Sequence, residues 1–139
     1  MSIETKYKKV VISGKRKAAV AKAIVISGKG EISVNGKKYE LLPFFEKLRI
    51  AEPIRIAQQV LGKIEFDAKI TIRGGGRIGQ NEAARLALAK GIVKFSNSEE
   101  LKQAYVKYDR NMLVADIRRK EAYKPGDSKA RRSRQTSYR

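Results

Sequence analysis

The sequence predicts an α+β fold, in which helices pack on a mostly antiparallel four-stranded sheet and a long basic tail follows. Three observations favour it. β-Branched residues alternate with turn residues early in the chain, two apolar helical stripes come later, and the last sixteen residues, KPGDSKARRSRQTSYR, contain no aliphatic side chain larger than alanine. Such a segment buries too little apolar surface to offset the entropy of ordering it. We therefore expect a globular domain, residues 1–116, and an extended tail, residues 117–139.

Glycine-rich turns divide the first part of the chain into short β-branched runs, which predict strands at residues 10–12, 20–26 and 32–34. We expect these strands to form an antiparallel meander. Residues 14–17 would make its first connection, and Gly28-Lys29-Gly30 and Asn35-Gly36 would be tight hairpin turns. This arrangement places cations on protruding loops.

The segment LLPFFEKLRIAEPIRIAQQVLG predicts two short helices, because Pro43 and Pro53 each suit a first helical turn and Gly62 suits a helix end. After it, residues 64–73 alternate strictly between apolar and polar side chains, which is the clearest strand pattern in the chain. Its apolar face carries Ile64, Phe66, Ala68, Ile70 and Ile72.

Two helices are expected after the glycine-rich segment. QNEAARLALAKGIVKF carries apolar residues at helical spacing, and SNSEELKQAYVKYD does so after a capping box from Ser96 to Glu99. We expect both apolar stripes to pack into the core.

The charge of the chain points to a polyanionic partner. It has 32 Lys and Arg against 14 Asp and Glu, a net charge of +18 on 139 residues. Residues 117–139 contribute nine basic residues against two acids, and six of the nine are arginine, whose planar fork grips phosphate. Nucleic acid is therefore the expected partner. A membrane is not expected, because no apolar run approaches the ~18 residues of a spanning helix, and with no signal peptide visible we expect an intracellular protein.

The sharpest local motif is TIRGGGRIGQNEAAR, in which Gly74 to Gly79 satisfy G-x-G-x-x-G between a strand and a helix. A dinucleotide fold is not favoured, because no later strand ends in a suitable acid and too little chain remains. A P-loop is excluded because Gln80 and Asn81 follow Gly79. Arg73 and Arg77 flank bare amides at a helix N-terminus, which favours a nucleic-acid phosphate.

Catalysis is not expected. The chain has no cysteine and no histidine, which removes thiol nucleophiles and the commonest general base. Asp109 and Asp116 could hold magnesium for phosphodiester hydrolysis. Each lies within three residues of an arginine, so ion pairing is the simpler interpretation, and no cofactor or small-molecule substrate is expected.

RNA is favoured over DNA, because the cations lie on several predicted loops and the tail rather than along one recognition helix. Four segments of the chain resemble, in order and spacing, the universal small-subunit ribosomal protein S-nine family. They are GKRKAAVAKA from Gly14, IRGGGRIGQNEAARLALAKGI from Ile72, YDRNMLVADIRRKE from Tyr108, and the terminal KARRSRQTSYR. The ending Ser-Tyr-Arg is similar to the archaeal and eukaryotic branch, whereas the bacterial pattern has lysine before the last arginine.

The resemblance implies a non-enzymatic constituent of the cytoplasmic ribosome, with a left-handed β-α-β crossover in its fold. It implies that the body binds ribosomal RNA in the subunit head, beside neighbouring ribosomal proteins. It also implies that the tail reaches the peptidyl-site transfer RNA. Transfer RNA would be contacted by Ser137, Tyr138 and Arg139. Ribosomal RNA would be contacted by Lys15, Arg16, Lys17, Lys29, Arg73, Gly74, Gly75, Gly76, Arg77, Gln80, Arg110, Arg118, Arg119, Lys120, Lys129, Arg131, Arg132 and Arg134.

Two alternatives stay open at the level of sequence. One is a free-standing RNA chaperone or nucleoid-type protein, which would share the charge and the tail. The other is a magnesium-dependent nuclease that uses Asp109 and Asp116.

Overall fold

A computed structural model describes residues 8–126, 129–133 and 137–138. In this part of the chain five strands form one mixed sheet: β1 Lys9–Arg16, β2 Ala19–Ser27, β3 Ile32–Val34, β4 Lys37–Lys38 and β5 Phe66–Arg73. Three helices accompany it: α1 Phe44–Leu61, α2 Arg77–Ser96 and α3 Glu99–Tyr108. The 3₁₀ turns Tyr39–Leu41 and Arg110–Met112 precede α1 and follow α3. The predicted α+β class is confirmed.

The strand order is β1-β2-β5-β3-β4, so the predicted meander of the first three strands and the predicted count of four strands are both wrong. β5 pairs antiparallel with β2 and parallel with β3, and it therefore separates two strands that follow each other in sequence. Residues 28–30 consequently join strands that are not neighbours. The Asn35-Gly36 hairpin is confirmed, and the two lysines after it pair with β3 as a fifth strand.

The first connection is shorter than predicted. β1 continues through Arg16, and the chain reverses at Lys17, whose φ is 52°. Gly14 lies inside β1 under α2, where a Cβ atom would stand 2.5 Å from the carbonyl oxygen of Ala83. Glycine is needed there because α2 crosses the strand too closely to leave room for a side chain.

α1 is one helix of 18 residues, so the prediction of two short helices was wrong. It passes through Pro53, which leaves the carbonyl of Arg49 without its usual helical donor. The helix continues because its apolar face, including Ile50, Ile54 and Ala57, is buried on both sides of the proline. Tertiary packing thus outweighs the local helix-breaking signal.

The core lies between one face of the sheet and the helices. β2 and β5 bury alternate residues, and α2 packs across β1, β2 and β5. The polar and apolar faces predicted for residues 66–73 are confirmed. Alanines on β2 and α2 let the helix approach closely: Ala19, Ala21, Ala23, Ala83, Ala84 and Ala87 are fully buried.

α3 closes the core from the side of α1. Its N-cap is Ser98, whose hydroxyl accepts a hydrogen bond from the Leu101 amide, so the predicted capping box starting at Ser96 is wrong. Ser96 is instead the last residue of α2. Tyr105 is buried and donates to the carbonyl of Pro53 over 2.7 Å, and burial raises the pKa of its phenol.

β3 and β5 are parallel neighbours with α1 between them in sequence, which makes a β-α-β crossover. Its left-handedness stays a prediction. Over the described residues, no helix combines the length and the apolar character that crossing a membrane requires.

Candidate nucleic-acid interface

The turn between β1 and β2 brings together cations that lie far apart in sequence. One groove has Arg16, Lys17 and Ala18 on one side and residues 118–120, Arg-Arg-Lys, on the other. We call these six residues the corner groove. The sheet supplies the first set and the chain after α3 supplies the second, so the groove exists only in the folded protein.

Asp116 ties the two sides of the corner groove together. It accepts hydrogen bonds from the backbone amide of Arg118 at 3.0 Å and from Nη2 of the same residue at 2.7 Å. Arg16 Nη2 lies 3.3 Å from the same carboxylate. The hydrogen bonds from Arg118, together with the charges of both arginines, hold the pKa of Asp116 well below its usual range. One carboxylate therefore fixes the start of the tail against the β1–β2 turn.

Arg16 is held in place by carboxylates, but one of its hydrogen-bond donors has no partner among the described residues. Its Nε lies 2.6 Å from Glu82 Oε2 on α2, and only 14% of its side chain is exposed. Its Nη1 is buried and has no hydrogen-bond partner among the described residues. A buried guanidinium donor without an acceptor is costly.

Arg119 and Lys120 keep their charge uncompensated. Arg119 Nη1 donates to the carbonyls of Asp116 and Arg118, each at 3.0 Å, and Lys120 lies 4.4 Å from the centroid of the Tyr123 ring. Neither forms an ion pair with any described residue. The corner groove thus holds five cations against the two carboxylates of Glu82 and Asp116, which suits a polyanion.

The glycine turn, residues 74–76, packs against the turn between β1 and β2. Gly74 and Gly75 have φ of 74° and 69°, a left-handed backbone that favours glycine. A Cβ atom at Gly75 would stand 2.8 Å from that of Ala19, and one at Gly74 would stand 2.7 Å from the carbonyl oxygen of Ala18. These two glycines therefore shape the turn and its contact with the corner.

Gly76 has a different role. It is the N-cap of α2, and no atom lies within 4 Å of where its Cβ would stand. The helix has no side-chain cap, so the amides of its first turn have no side-chain acceptor. A second groove runs along this helix start and shares Arg16 and Lys17 with the corner groove. The predicted phosphate position thus adjoins the corner groove.

Two predicted RNA-binding residues beside the glycine turn have structural contacts. Gln80 Nε2 donates to the Gly74 carbonyl at 3.0 Å and holds the turn. Arg77 donates from Nε and Nη2 to Glu46 Oε1 at 3.0 and 2.8 Å, which joins α2 to α1. Arg73, at the end of β5, is exposed.

Other predicted residues lie away from this centre or beside it. Lys29 is at the far end of β2, whose nine residues span about 30 Å. Its loop is held by Asp67, whose Oδ1 accepts the amides of Lys29, Gly30 and Glu31 at 2.9, 2.9 and 2.8 Å. Lys15 is exposed and borders a cleft with Arg16, and Arg110 is exposed in the second 3₁₀ turn.

The described part of the tail, residues 117–126, 129–133 and 137–138, contains no helix or strand. Arg131 pairs with Glu121 at 2.8 Å, and Lys124 donates to the Arg132 carbonyl at 3.3 Å. The remaining predicted contacts that the structure describes, Lys129, Ser137 and Tyr138, are exposed. Arg134 and Arg139 lie outside the described residues.

The two aspartates considered for a nuclease are both paired with arginine, as predicted, but the partner of Asp109 is Arg85 and not the neighbouring Arg110. Asp109 accepts from Arg85 Nη1 at 2.9 Å, and Arg85 also lies 2.6 Å from Glu52. Burial by itself would raise the pKa of Asp109, but hydrogen bonds from Arg85 and from the Asn111 amide, with the charges of Arg85 and Arg49, outweigh it and lower the pKa.

The sequence did not reveal which acids position the cations. Asp116 has a visible signal, because it stands two residues before Arg118. Glu82 and Asp67 have no such signal in the sequence. Their partners are distant along the chain and come close only when particular strands and helices pack together.

Known proteins are similar to this chain along most of its length. The sequence model of the family described as ribosomal protein S9/S16 matches residues 14–139. The chain belongs to this family. It is therefore a ribosomal protein, a structural constituent rather than an enzyme.

The similar proteins include three from archaea, each named small ribosomal subunit protein uS9. That of Methanococcus vannielii is 43% identical over 129 residues, covering 91% of this chain and 95% of the relative. That of Thermoplasma volcanium is 46% identical over 132 residues, with 94% and 98% covered. That of Pyrobaculum aerophilum is 44% identical over 133 residues, with 94% and 92% covered.

Proposed function

We propose that this protein is a structural constituent of the small ribosomal subunit, in the cytoplasm, that binds ribosomal RNA in the subunit head. The observation that carries the RNA contact is the corner groove, where five cations face only two carboxylates. An RNA backbone supplies the missing negative charge along a line, which a small anion would not do. The names of the relatives support the assignment to the small subunit.

Phosphates would bind at two adjoining places. In the corner groove they would meet the guanidinium groups of Arg16, Arg118 and Arg119. At the start of α2 they would meet the open amides after Gly76, beside Arg73 and Arg77. The two places share the β1–β2 turn, so one bend of RNA backbone would contact both. The other predicted contacts would be made by Lys17 and Lys120 in the corner groove and, outside it, by Lys15, Lys29, Arg110, Lys129, Arg131, Arg132 and Arg134.

The tail, residues 117–139, would continue from the corner groove toward the peptidyl site. Asp116 fixes its starting point on the body. Sixteen extended residues from Lys124 span about 50 Å, so the end of the chain can act far from where the body binds. Ser137, Tyr138 and Arg139 would then contact the bound transfer RNA, with Tyr138, 92% exposed, available for stacking or a hydrogen bond.

Sedimentation of the tagged full-length chain tests the assignment to the subunit. We expect it to travel with small subunits through high-salt gradients, because an integrated protein makes many simultaneous contacts. A free-standing RNA chaperone would dissociate from them as salt rises. Release of the chain at a salt concentration that leaves other subunit proteins bound would contradict the proposal and favour the chaperone.

Truncation tests the contact with transfer RNA. Removal of residues 137–139 should leave assembly intact and weaken peptidyl-site transfer RNA by about 1–3 kcal/mol, the usual effect of losing a hydrogen bond to a charged group. Transfer RNA affinity is measured on reconstituted subunits shown to contain the shortened chain. The matched control is Lys129→Ala, which removes one tail cation and keeps the end of the chain. Equal affinity in truncated and complete subunits would refute the contact.

A further inference from the structure

The face of the sheet that points away from the helices is uncovered by any described element. The helices pack on the face that carries the buried residues of β2 and β5, such as Ala21, Val25 and Ile70. On the other face, which we call the open face, the side chains of β1, β2 and β5 are exposed or half-buried. Four of them are exposed cations, which we call the open-face cations: Lys15, Lys22, Lys69 and Arg73.

Strand register gathers the open-face cations around Lys22. This residue stands opposite Thr71 of β5, and Lys69 and Arg73 lie two residues before and two residues after Thr71. Lys15 has the same diagonal relation to Lys22 across β1 and β2. Diagonal neighbours in a sheet are ~7–8 Å apart, so like charges at these positions repel one another. None of the four cations forms an ion pair within the part of the chain that the structure describes.

Acids do not compensate the open-face cations. β1 and β2 contain no acid, and Asp67 is the only acid in β5. Its Oδ1 atom already accepts three backbone amides of the loop after β2. Glu31, at the same end of the sheet, lies with Oε1 3.7 Å from Nζ of Lys38. The open face therefore carries a positive charge that suits a polyanion.

The side chains of the open face suit the backbone of double-stranded RNA. The ring of Phe66 is buried on the opposite face, so β1, β2 and β5 offer no aromatic platform on which unpaired bases could stack. A duplex is instead recognised through its phosphates and 2′-hydroxyl groups, which ammonium and hydroxyl groups can contact. The exposed uncharged residues between the cations are aliphatic or carry a hydroxyl: Val11, Ser13, Val20, Ile26 and Thr71.

We infer that the open face is a second RNA-binding surface, which holds the backbone of a double-stranded segment of ribosomal RNA. This inference rests on the proposed function, because its ligand is ribosomal RNA. Lys15 and Arg16 are consecutive, yet Arg16 contacts Glu82 of α2 on the helical side. Lys15 lies on the open face and, at the edge of the sheet, also borders the cleft of Arg16. RNA would thus contact both sides of the sheet near the β1–β2 turn.

Directed hydroxyl-radical cleavage in reconstituted small subunits tests the inference. The chain has no cysteine, so a single introduced cysteine can carry an iron chelate attached before reconstitution. From Thr71→Cys, in the middle of the open face, we expect cuts in both strands of a paired segment of ribosomal RNA. At least part of that segment should stay uncut from Ala18→Cys, which places the chelate in the corner groove. Val106→Cys, 48% exposed on α3, is the matched control and should give only background cleavage of the segment.

Three results would overturn the inference. The first is no RNA cleavage from Thr71→Cys, as expected if a protein covers the open face. The second is cleavage confined to unpaired nucleotides. The third is the same set of cuts from all three positions.

Salt dependence of binding gives a second measurement. The full-length chain is titrated with a fully paired RNA hairpin and with an unpaired RNA of the same length. Lys22→Gln combined with Lys69→Gln should lower the slope of log affinity against log salt by about 2 for the hairpin, because two phosphate contacts are lost. The slope for the unpaired RNA should change by less than half as much. Both lysines are exposed, so thermal unfolding should stay close to that of the natural chain.

The matched control for this measurement combines Lys94→Gln with Lys107→Gln, which removes two exposed cations from α2 and α3. It should change the hairpin slope by less than half as much as the open-face variant. Equal changes in the two double variants, or equal changes for paired and unpaired RNA, would contradict a duplex-binding open face.

The two proposals fail in different ways. If the chain did not bind ribosomal RNA, neither the Ala18 probe nor the Thr71 probe would cut it. If only the inference about the open face were wrong, the Ala18 probe would cut RNA in the subunits and the Thr71 probe would cut no paired segment of its own.

Discussion

Arg85 and the cations of the corner groove differ in how many carboxylates surround them. Arg85 on α2 is 7% exposed and lies against two carboxylates, Glu52 of α1 at 2.6 Å and Asp109 after α3 at 2.9 Å. In the corner groove, five cations share two carboxylates and most of the cations are exposed. The same type of side chain therefore holds helices together in one place and needs an external anion in the other.

The difference shows how to separate structural from functional arginines in a very basic protein. A buried arginine with enough carboxylates around it is neutralised internally, and losing it leaves buried acids without a partner. Exposed cations that outnumber their acids repel one another, and a polyanionic ligand would relieve that repulsion.

Replacement of Arg118, Arg119 and Lys120 by alanine should weaken RNA binding about a hundredfold at 0.1 M salt. Three lost phosphate contacts should also lower the slope of log affinity against log salt by about 2. Thermal stability should change little, because these side chains are exposed. Filter binding of the intact chain to a ribosomal RNA fragment over a range of salt concentrations measures both quantities.

The control removes the same number of charges elsewhere. Lys90, Lys94 and Lys102 border a different surface groove, beside α3. Their replacement by alanine should change the salt slope by less than half as much. Equal losses in the two triple variants would mean that net charge alone governs RNA binding and that the corner groove has no special role.

Arg85→Met should destabilise the protein by about 2–3 kcal/mol. Breaking a fully buried pair costs ~3–5 kcal/mol, and the effect here should be smaller because Glu52 and Asp109 are 27% and 34% exposed. Urea unfolding gives the value. RNA affinity of the folded variant should equal that of the natural chain, and Arg118→Met should lower stability far less than Arg85→Met, because the Arg118 side chain is 79% exposed. A large loss of RNA affinity in Arg85→Met would erase the distinction between the two groups.

Asp67→Ala should cost about 1 kcal/mol, because three loop amides lose their carboxylate acceptor and only water replaces it. Hydrogen exchange should accelerate at Lys29, Gly30 and Glu31 and stay unchanged in α2. Asp127→Ala, which removes an acid from the tail, is the matched control for charge. Unaltered exchange at the three amides would show that Asp67 does not position Lys29.

The smallest effect concerns acid pH. The pKa of Asp109 is lowered in the folded protein, so its ionised form contributes stability above its unfolded pKa of about 3.9, and this contribution is lost as pH falls through the folded value. Asp109→Asn should therefore reduce the steepness of the stability loss below about pH 4. Urea midpoints between pH 2 and 7 measure it, with Glu121→Gln as control. Parallel curves for Asp109→Asn and the natural chain would contradict the prediction.

Local signals in the sequence were enough for much of the fold. The alternation of residues 66–73 predicted β5 and its buried face, and Asn35-Gly36 predicted its hairpin, because both patterns act over a few neighbouring residues. Apolar stripes predicted α2 and α3. The charge, the triple glycine and the arginine-rich terminus together were specific enough to indicate the family.

The tertiary structure decided the rest, because strand order and ion pairing depend on contacts between distant residues. Nothing near Ile32 says that β3 will pair with β5, yet that pairing converts a meander into a mixed sheet and puts Asp67 against the loop of Lys29. Pro53 signals a helix boundary locally, but burial of both flanking turns keeps α1 continuous. Glu82 meets Arg16 because α2 crosses β1 at Gly14, where the missing side chain lets helix and strand approach. Which residues are cations can be read from the sequence, but which of them are neutralised depends on the packing of α1, α2 and the chain after α3, because their carboxylate partners come from those distant segments.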